Sequence, residues 1–312
     1  MTSSQPHVTV LLALYDGCEH LEEQLRSYLD QSLRPARVLA SDDRPHDGTG
    51  AVFQNFGTQV TAPPCWDLIE GPQQGLTRNF LHLLATVNPT ETDYVALSDQ
   101  DDIWLPEKLQ SAVHHIAAQG DRPVLLGTRS WEWSPSTGQK VLSRHIPPPL
   151  NFAHALVQNY AGGNTMVLNR SALKLVQAAL PGMPQPALHD WWLYQLISGA
   201  GGVVLLDPEP RLLYRQHSDN QVGANATLHS KLRRFGHMLT GTYRKWMDQN
   251  ISALQSHANL LTPDNKALLD RLAQERSASL CTRLNMLADT GLHRKGRSNQ
   301  AALWIAAALR RM

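Results

Sequence analysis

Cysteine is scarce in this chain. There are three, Cys18, Cys65 and Cys281, in 312 residues. An odd number so widely spaced sets up no disulfide framework, and no CxxC or His/Cys spacing makes a zinc site despite 14 histidines. A reducing cytoplasm is the expected compartment. Long apolar runs are also missing. No stretch reaches the ~18 residues that a membrane-spanning helix needs. The opening, MTSSQPHVTVLLALYDG, lacks a basic n-region and its apolar run is short, so a signal peptide is not expected. Neither GxxxxGK[ST] nor GxGxxG occurs, which leaves phosphate cradling by a glycine loop without support. There is no internal repeat and no low-complexity tract.

What is present fits a soluble globular protein: 42% hydrophobic and 18% charged residues, on a chain long enough for a sizeable core. The net charge of +1 hides an asymmetry. Asn225 to Met312 holds 14 Lys/Arg against 5 Asp/Glu, and the rest holds 14 against 22. An acidic body and a basic tail should face different partners.

Val8 to Leu14, VTVLLAL, reads as a strand buried on both faces. Leu21, Leu25, Tyr28 and Leu29 then fall on one helical stripe. RVLAS is the next strand, closed by the turn formers DDRPHDGTG. QQGLTRNFLHLLATV enters a second helix, and YVALS is a third strand. Leu105, Leu109, Val113 and Ile116 mark the helix after it, with Pro106 in its first turn. PVLLGT is a further strand. This alternation predicts an α/β fold with an open, mostly parallel sheet flanked by helices. Beyond Leu150 come a glycine turn, a strand over Thr165 to Leu168, the aromatic helix HDWWLYQLIS, and two short strands, GGVVLLD and RLLYR. Past Thr227 the pattern is helical.

Ligands of such sheets bind outside the carboxyl ends of the strands. The three strands end at Tyr15-Asp16, Asp42-Asp43 and Asp99-Gln100-Asp101-Asp102, so three acidic clusters line one edge. Carboxylates this close repel and raise each other's pKa. A divalent cation is the expected neutraliser; Mg²⁺ or Mn²⁺ takes few carboxylates and fills its shell from substrate phosphates.

The quoted pieces VTVLLALYDG, SDDRPHDGT, GLTRNF, SDQDDIWLPEKL, AGGNTMVLNR, HDWWL and YRQHSDNQVG, over residues 8 to 223, resemble in content and order the family 2 glycosyltransferases of GT-A fold, in their rhamnosyltransferase-like branch. The RPH of the second piece departs from the usual GST. The resemblance implies a catalytic domain over 1–224, with a nucleotide half to about 128 and an acceptor half from 129, followed by a basic helical region, 225–312. It implies that Asp99 and Asp101 hold metal and diphosphate, with His217 closing over them. It puts Leu14, Tyr15, Asp16, Asp42, Asp43, Arg78, Asn79, Asp99 and Gln100 around the nucleotide. Asp190 becomes the catalytic base, with His189 beside it. Gly162, Gly163, Asn164 and Trp191 become the acceptor side.

The activity implied is inverting transfer of a sugar, L-rhamnose by the resemblance, from a dTDP- or UDP-linked donor to a saccharide or lipid-linked acceptor in surface polysaccharide synthesis. The acceptor hydroxyl loses its proton to Asp190 as it attacks. A nucleotidyltransferase would want a glycine- and lysine-rich first loop, which ALYDG is not. A catalytically silent sugar-nucleotide-binding or membrane-scaffold protein would lack Asp190 or the paired aspartates. The last helix sets Leu303, Trp304, Ala307 and Ala308 beside Arg310 and Arg311, the pattern of an interfacial helix on the inner face of an anionic membrane; a helical layer packed on the body is the other reading. Nucleic-acid binding is not expected, since base-reading motifs are absent.

Overall fold

The computed structural model describes residues 5–216 and 241–312. A nine-stranded sheet has the order β3-β2-β1-β4-β8-β6-β9-β5, with β7 on β6. The four strands β1 (Val8–Leu14), β2 (Arg37–Asp42), β3 (Cys65–Glu70) and β4 (Tyr94–Ser98) are parallel to one another. Beyond β4 the sheet is mixed. β8 (Val167–Asn169) runs antiparallel to both β4 and β6 (Val124–Trp133), while β9 (Val203–Arg215) is parallel to β6. The short β5 (Ile103–Trp104) and β7 (Lys140–Leu142) add antiparallel edges.

All seven residues of β1 are buried because helices cover both faces. Val8, Val10, Leu12 and Leu14 face α1 (Leu21–Leu29), α2 (Thr49–Gln59) and α4 (Lys108–Ala117). Leu11 and Ala13 face α3 (Leu76–Thr86), α6 (Arg170–Ala179) and α7 (His189–Gly199). A four-residue helix, α5 (Phe152–Ala155), packs on α7. Leu14 pairs with Asp42, Asp42 with Glu70, and Leu12 with Ser98. Register therefore brings the acidic clusters to one edge, as expected from the sequence.

Several elements differ from expectation. β3, CWDLIE, is an edge strand whose residues are half-buried or exposed, so it lacks the apolar run that marks its neighbours. GGVVLLD and RLLYR are one strand, β9, interrupted by register shifts opposite Thr128 to Trp131. α4 starts at Lys108, leaving Leu105 and Pro106 in the loop.

The described part of the basic region is a helical layer on the body: α8 (Thr242–Gln255), α9 (Pro263–Glu275), α10 (Leu280–Asp289) and α11 (Arg297–Ala308). Met247, Leu254, Leu272, Met286 and Leu303 share one core with Trp191 and Trp192. Tyr243 Oη donates to the Val157 carbonyl at 2.9 Å, and Asn265 Nδ2 to that of Gly199 at 2.9 Å. Of the apolar residues in the interfacial reading of the last helix, Leu303 and Ala307 are fully buried against protein, Trp304 is half-buried and Ala308 is exposed. Leu303→Ala should cost about 2–5 kcal/mol, the range for a buried leucine. Chemical denaturation of the full chain checks it; an unchanged midpoint would mean that the layer contributes nothing to the fold.

Candidate active site

The last residue of β4, Ser98, is fully buried and anchors the acidic loop. Tyr28 Oη donates to Ser98 Oγ at 2.7 Å, Gln24 Nε2 does so at 3.0 Å, and Ser98 Oγ donates on to the Asp99 carbonyl at 2.9 Å. A second clasp ties the loop to the end of β1. Tyr15 N–H donates to Gln100 Oε1 at 2.8 Å, and Gln100 Nε2 to the Tyr15 carbonyl at 2.6 Å. Gln100 thus spends its amide on main chain rather than on a nucleotide. Gly17 leaves room for it, since a Cβ there would lie 2.1 Å from the Gln100 side chain and displace it from the clasp.

Asp102 is fully buried. Its Oδ2 accepts from Asn164 Nδ2 at 2.6 Å, and its Oδ1 has no donor among the described residues. Asp102 does not cap α4, whose N-cap is Glu107. Burial, reinforced by Asp101, raises the Asp102 pKa. Burial, then the charges of Asp102, Asp101 and Asp190, raises that of Asp99. One cation answers them from inside. Lys108 is fully buried, its Nζ donating to the Asn164 carbonyl at 2.5 Å and lying 4.2 Å from the centre of the Trp104 ring. Burial lowers its pKa, against the pull of Asp102 and Asp99. Arg215 Nε holds the Asp101 carbonyl at 2.8 Å.

Asp190 sits in the first turn of α7, half-buried, close enough to Asp99 to raise its pKa. Burial pushes the Asp190 carboxyl up to about 6, although N–H donors from Trp191, Asn159 and Gly163 pull the other way. The N-cap of α7 is Leu188, so Asp190 does not serve as the cap. His189 makes no bond to Asp190. Its ring stacks on Phe80 with centroids 4.2 Å apart, neither nitrogen has a partner among the described residues, and burial holds its pKa down to about 3. Gly163 must be glycine because a Cβ would lie 2.3 Å from His189 Nε2. Gly162 and Gly163 are not in the positive-φ region, so close approach, not backbone handedness, explains them.

Trp191 is corrected. It is 4% exposed and its Nε1 donates to the Ala155 carbonyl at 2.7 Å, so it is core and offers no sugar platform. Asn164 is likewise buried, committed to Asp102 and Lys108 rather than open to an acceptor.

On the nucleotide side, Leu14 is buried and Tyr15 is 55% exposed, with the Arg44 guanidinium 5.6 Å from its ring centre. Asp16 carries φ 48° and donates its N–H to Asp47 Oδ2 at 2.6 Å. Asp42 is buried, accepting from the N–H of Arg44 at 3.0 Å and pressed against Gly50, so it shapes the wall instead of lying open to a base. Asp43 holds the N–H groups of Gln73 (2.5 Å) and Gly75 (2.8 Å), a loop-shaping role. Asn79 is buried on the Ser41 carbonyl at 3.0 Å. Arg78 reaches Gln185 Oε1 at 3.2 Å on the outside. His217 lies outside the described residues.

Do these groups fit a divalent cation? Among the described residues no three His, Cys, Asp or Glu side chains converge to enclose one. The donors are hard carboxylate oxygens, however, and the cluster's negative charge exceeds what Lys108 balances. That fits an ion held by two aspartates and completed by phosphate oxygens.

The glycosyl transferase family 2 model matches residues 9–174. The chain belongs to that family. This glycosyltransferase is 28% identical over 249 residues to the dTDP-rhamnosyl transferase RfbG of Shigella flexneri, covering 78% of this chain and 84% of the relative. Its fold matches the GT-A mannosyltransferase PcManGT from Pyrobaculum calidifontis, solved with GDP-Man and Mn²⁺, at TM-score 0.53 and 17% identity over 99% and 88% of the two chains. TarS 1–349 of S. aureus, solved with UDP-GlcNAc, matches at TM-score 0.53 and 13% identity over 97% and 90%.

Asp99→Asn should raise the melting temperature of the metal-free enzyme at pH 7.5 by a few degrees, since it removes a half-buried carboxylate crowded by like charges. The sign follows from linkage: a carboxyl with a raised folded pKa weakens the fold as pH rises through that pKa. The gain should shrink at pH 5. Melts in EDTA at the two pH values decide; a lower melting temperature at both would mean that the cluster is not strained.

Proposed function

We propose that the protein is an inverting, metal-dependent glycosyltransferase that moves a sugar from a nucleoside-diphosphate donor to a saccharide or lipid-linked saccharide acceptor. One observation carries this reading: Asp190, with its pKa near 6, lies within electrostatic reach of Asp99 at the carboxyl edge of β4. A base and a diphosphate-binding loop side by side are what single displacement requires. The donor assigned is a dTDP-sugar, L-rhamnose first, on the likeness to RfbG. The compartment assigned is the cytoplasm, on the inner side of the membrane that carries the acceptor; no helix among the described residues is long and apolar enough to cross a membrane.

Asp99 and Asp101 would hold Mg²⁺ or Mn²⁺, which when bound supplies charge neutralisation for the leaving diphosphate. The chain's own residues do the rest. Tyr15, exposed at the end of β1, offers the nucleotide base a face to pack on. The walls beneath it are set by Asp42 and Asp43. Asp190 accepts the proton of the acceptor hydroxyl as its oxygen bonds to the anomeric carbon and the bond to diphosphate breaks. The Trp191 N–H, helped by Asn159 and Gly163, favours the carboxylate, and burial keeps it basic enough to work near neutrality.

Two experiments test this. Calorimetry against a panel of nucleoside-diphosphate sugars, with Mn²⁺, Mg²⁺ or EDTA, should find one uridine or thymidine donor whose binding needs metal and is lost in Asp99→Ala and Asp101→Ala. Binding of none in either metal would remove the reading. Once the donor is known, the pH profile tests Asp190. Transfer should rise about tenfold per pH unit below 6 and level off above it. Asp190→Asn should lower kcat by about 10²–10⁴-fold and leave donor affinity in place. A flat profile from pH 5 to 8 would take the base role away from Asp190.

A further inference from the structure

Lys108 has no place in the reaction just described, yet it is a fully buried lysine at the start of α4. Burying an ammonium is costly unless its bonds are met and a counter-charge is near. Its one directed hydrogen bond goes to a single main-chain oxygen, that of Asn164, at 2.5 Å. The Trp104 ring supports it from another side, 4.2 Å away. Asn164 in turn gives its side-chain N–H to Asp102 Oδ2 at 2.6 Å. One residue earlier, Gly163 lies against the ring of His189, the neighbour of Asp190, so closely that a Cβ would fall 2.3 Å from His189 Nε2, and its N–H favours the charged form of the Asp190 carboxyl. The turn that contains both is closed on itself, with Thr165 N–H and Oγ bonded to the Gly162 carbonyl at 3.0 and 2.7 Å. It is also pinned to β4 by Leu97 N–H on the Met166 carbonyl at 3.0 Å.

The turn over residues 162–165 therefore has two grips. One is on the acidic loop through Asp102 and Lys108, and the other is on Asp190 through Gly163. We infer that Lys108 is a positioning residue which, by clamping the Asn164 carbonyl beside Asp102, fixes the separation between the carboxylate loop after β4 and the carboxylate of Asp190. This deepens the transferase reading and rests on it. It assigns to Lys108 the spacing between the donor's leaving group and the acceptor's base, with no contact to either substrate. His189 backs the same turn from beneath, stacked on Phe80 with its Nε2 against Gly163.

Lys108→Met keeps the length of the stem and removes the grip. Hydrogen exchange on the full, ligand-free chain reads the tie without any activity. Amides of 162–166 and 189–191 should exchange about tenfold faster, roughly 1.4 kcal/mol of local opening, while α10 and α11 keep their protection. In turnover with the donor found above, kcat should fall about 100-fold, the scale of a ~1 Å misplacement. Donor Kd, measured by calorimetry with Mn²⁺, should stay within about threefold, well under 1.4 kcal/mol. Asn164→Ala, which cuts the side-chain bond to Asp102 and leaves the carbonyl, should move exchange and kcat the same way; it carries the test if Lys108→Met does not fold. Unchanged protection at 162–166 would overturn the proposal, and so would donor affinity falling in step with kcat, which would place Lys108 on the nucleotide side. If the parent protein binds no sugar nucleotide, the transferase reading fails separately, and the exchange data still decide whether the clamp exists.

Discussion

Like-charge repulsion at the end of β4 is the constraint around which this molecule is built. Asp99, Asp101, Asp102 and Asp190 crowd one another in a partly water-excluded place, and burial and mutual charge raise the pKa of Asp99 and Asp102. Left alone such a cluster would open the loop. It is held from four directions: Ser98 with Tyr28 and Gln24 below, Gln100 on Tyr15 to one side, Arg215 on the Asp101 carbonyl, and Lys108 with Asn164 on the other side. Each of these is a hydrogen bond between segments distant in sequence. The loop is therefore fixed by the sheet and its helices rather than by its own turn geometry.

Holding it requires a large apolar reserve elsewhere. Carboxylates crowded together away from water lower stability while their charges are unbalanced. The reserve comes from a sheet covered on both faces, and the C-terminal helices add to it. Their side chains do not form a separate body: Tyr243 stacks on Trp191, and Leu303 enters the same core. Trp191 lies one residue from Asp190, so the layer that looks peripheral in sequence buttresses the helix that carries the base of the proposed reaction.

Much of this could be read from residues alone. The apolar run VTVLLAL fixes β1, and the turn formers after RVLAS and YVALS place the acidic clusters at strand ends, because period and punctuation are local signals. What stayed hidden was set by tertiary contact. β3 has no apolar run because it is an edge. Lys108 reads as a solvated lysine at a helix start, and only the fold shows Trp104, Asp102 and Asn164 closing around it. Asp42, Asp43 and Gln100 carry the right chemistry for a nucleotide, but their hydrogen bonds go to Arg44, Gln73, Gly75 and Tyr15. A motif identifies the residue type at a position; it does not say which of that residue's atoms are already committed. Trp191 and Trp192 make the same point, since an aromatic pair beside a catalytic-looking aspartate is as easily core as platform.

The carboxylates are not equivalent, and the difference assigns their labour. Trp191 N–H donates to Asp190 Oδ1 at 2.6 Å, Asn159 and Gly163 also favour its charged form, and burial pushes its pKa up to about 6. Fixed dipoles thus steady its charged form without any cation, as a base acting near pH 7 needs. Asp99 meets only other carboxylates and the charge of Lys108 among the groups that set its pKa. Among those groups only Lys108 favours its charged form, so in the proposed reaction a divalent cation would have to supply the rest. A divalent ion with a diphosphate would thus be drawn to Asp99 and its neighbours, while Asp190 stays free to take a proton. The turn from Gly162 to Thr165 touches both environments, donating a backbone N–H to one and a side-chain amide to the other. Separation of roles between two kinds of carboxylate then depends on one short turn keeping its position, which is why its glycine faces His189 and its asparagine faces a buried lysine.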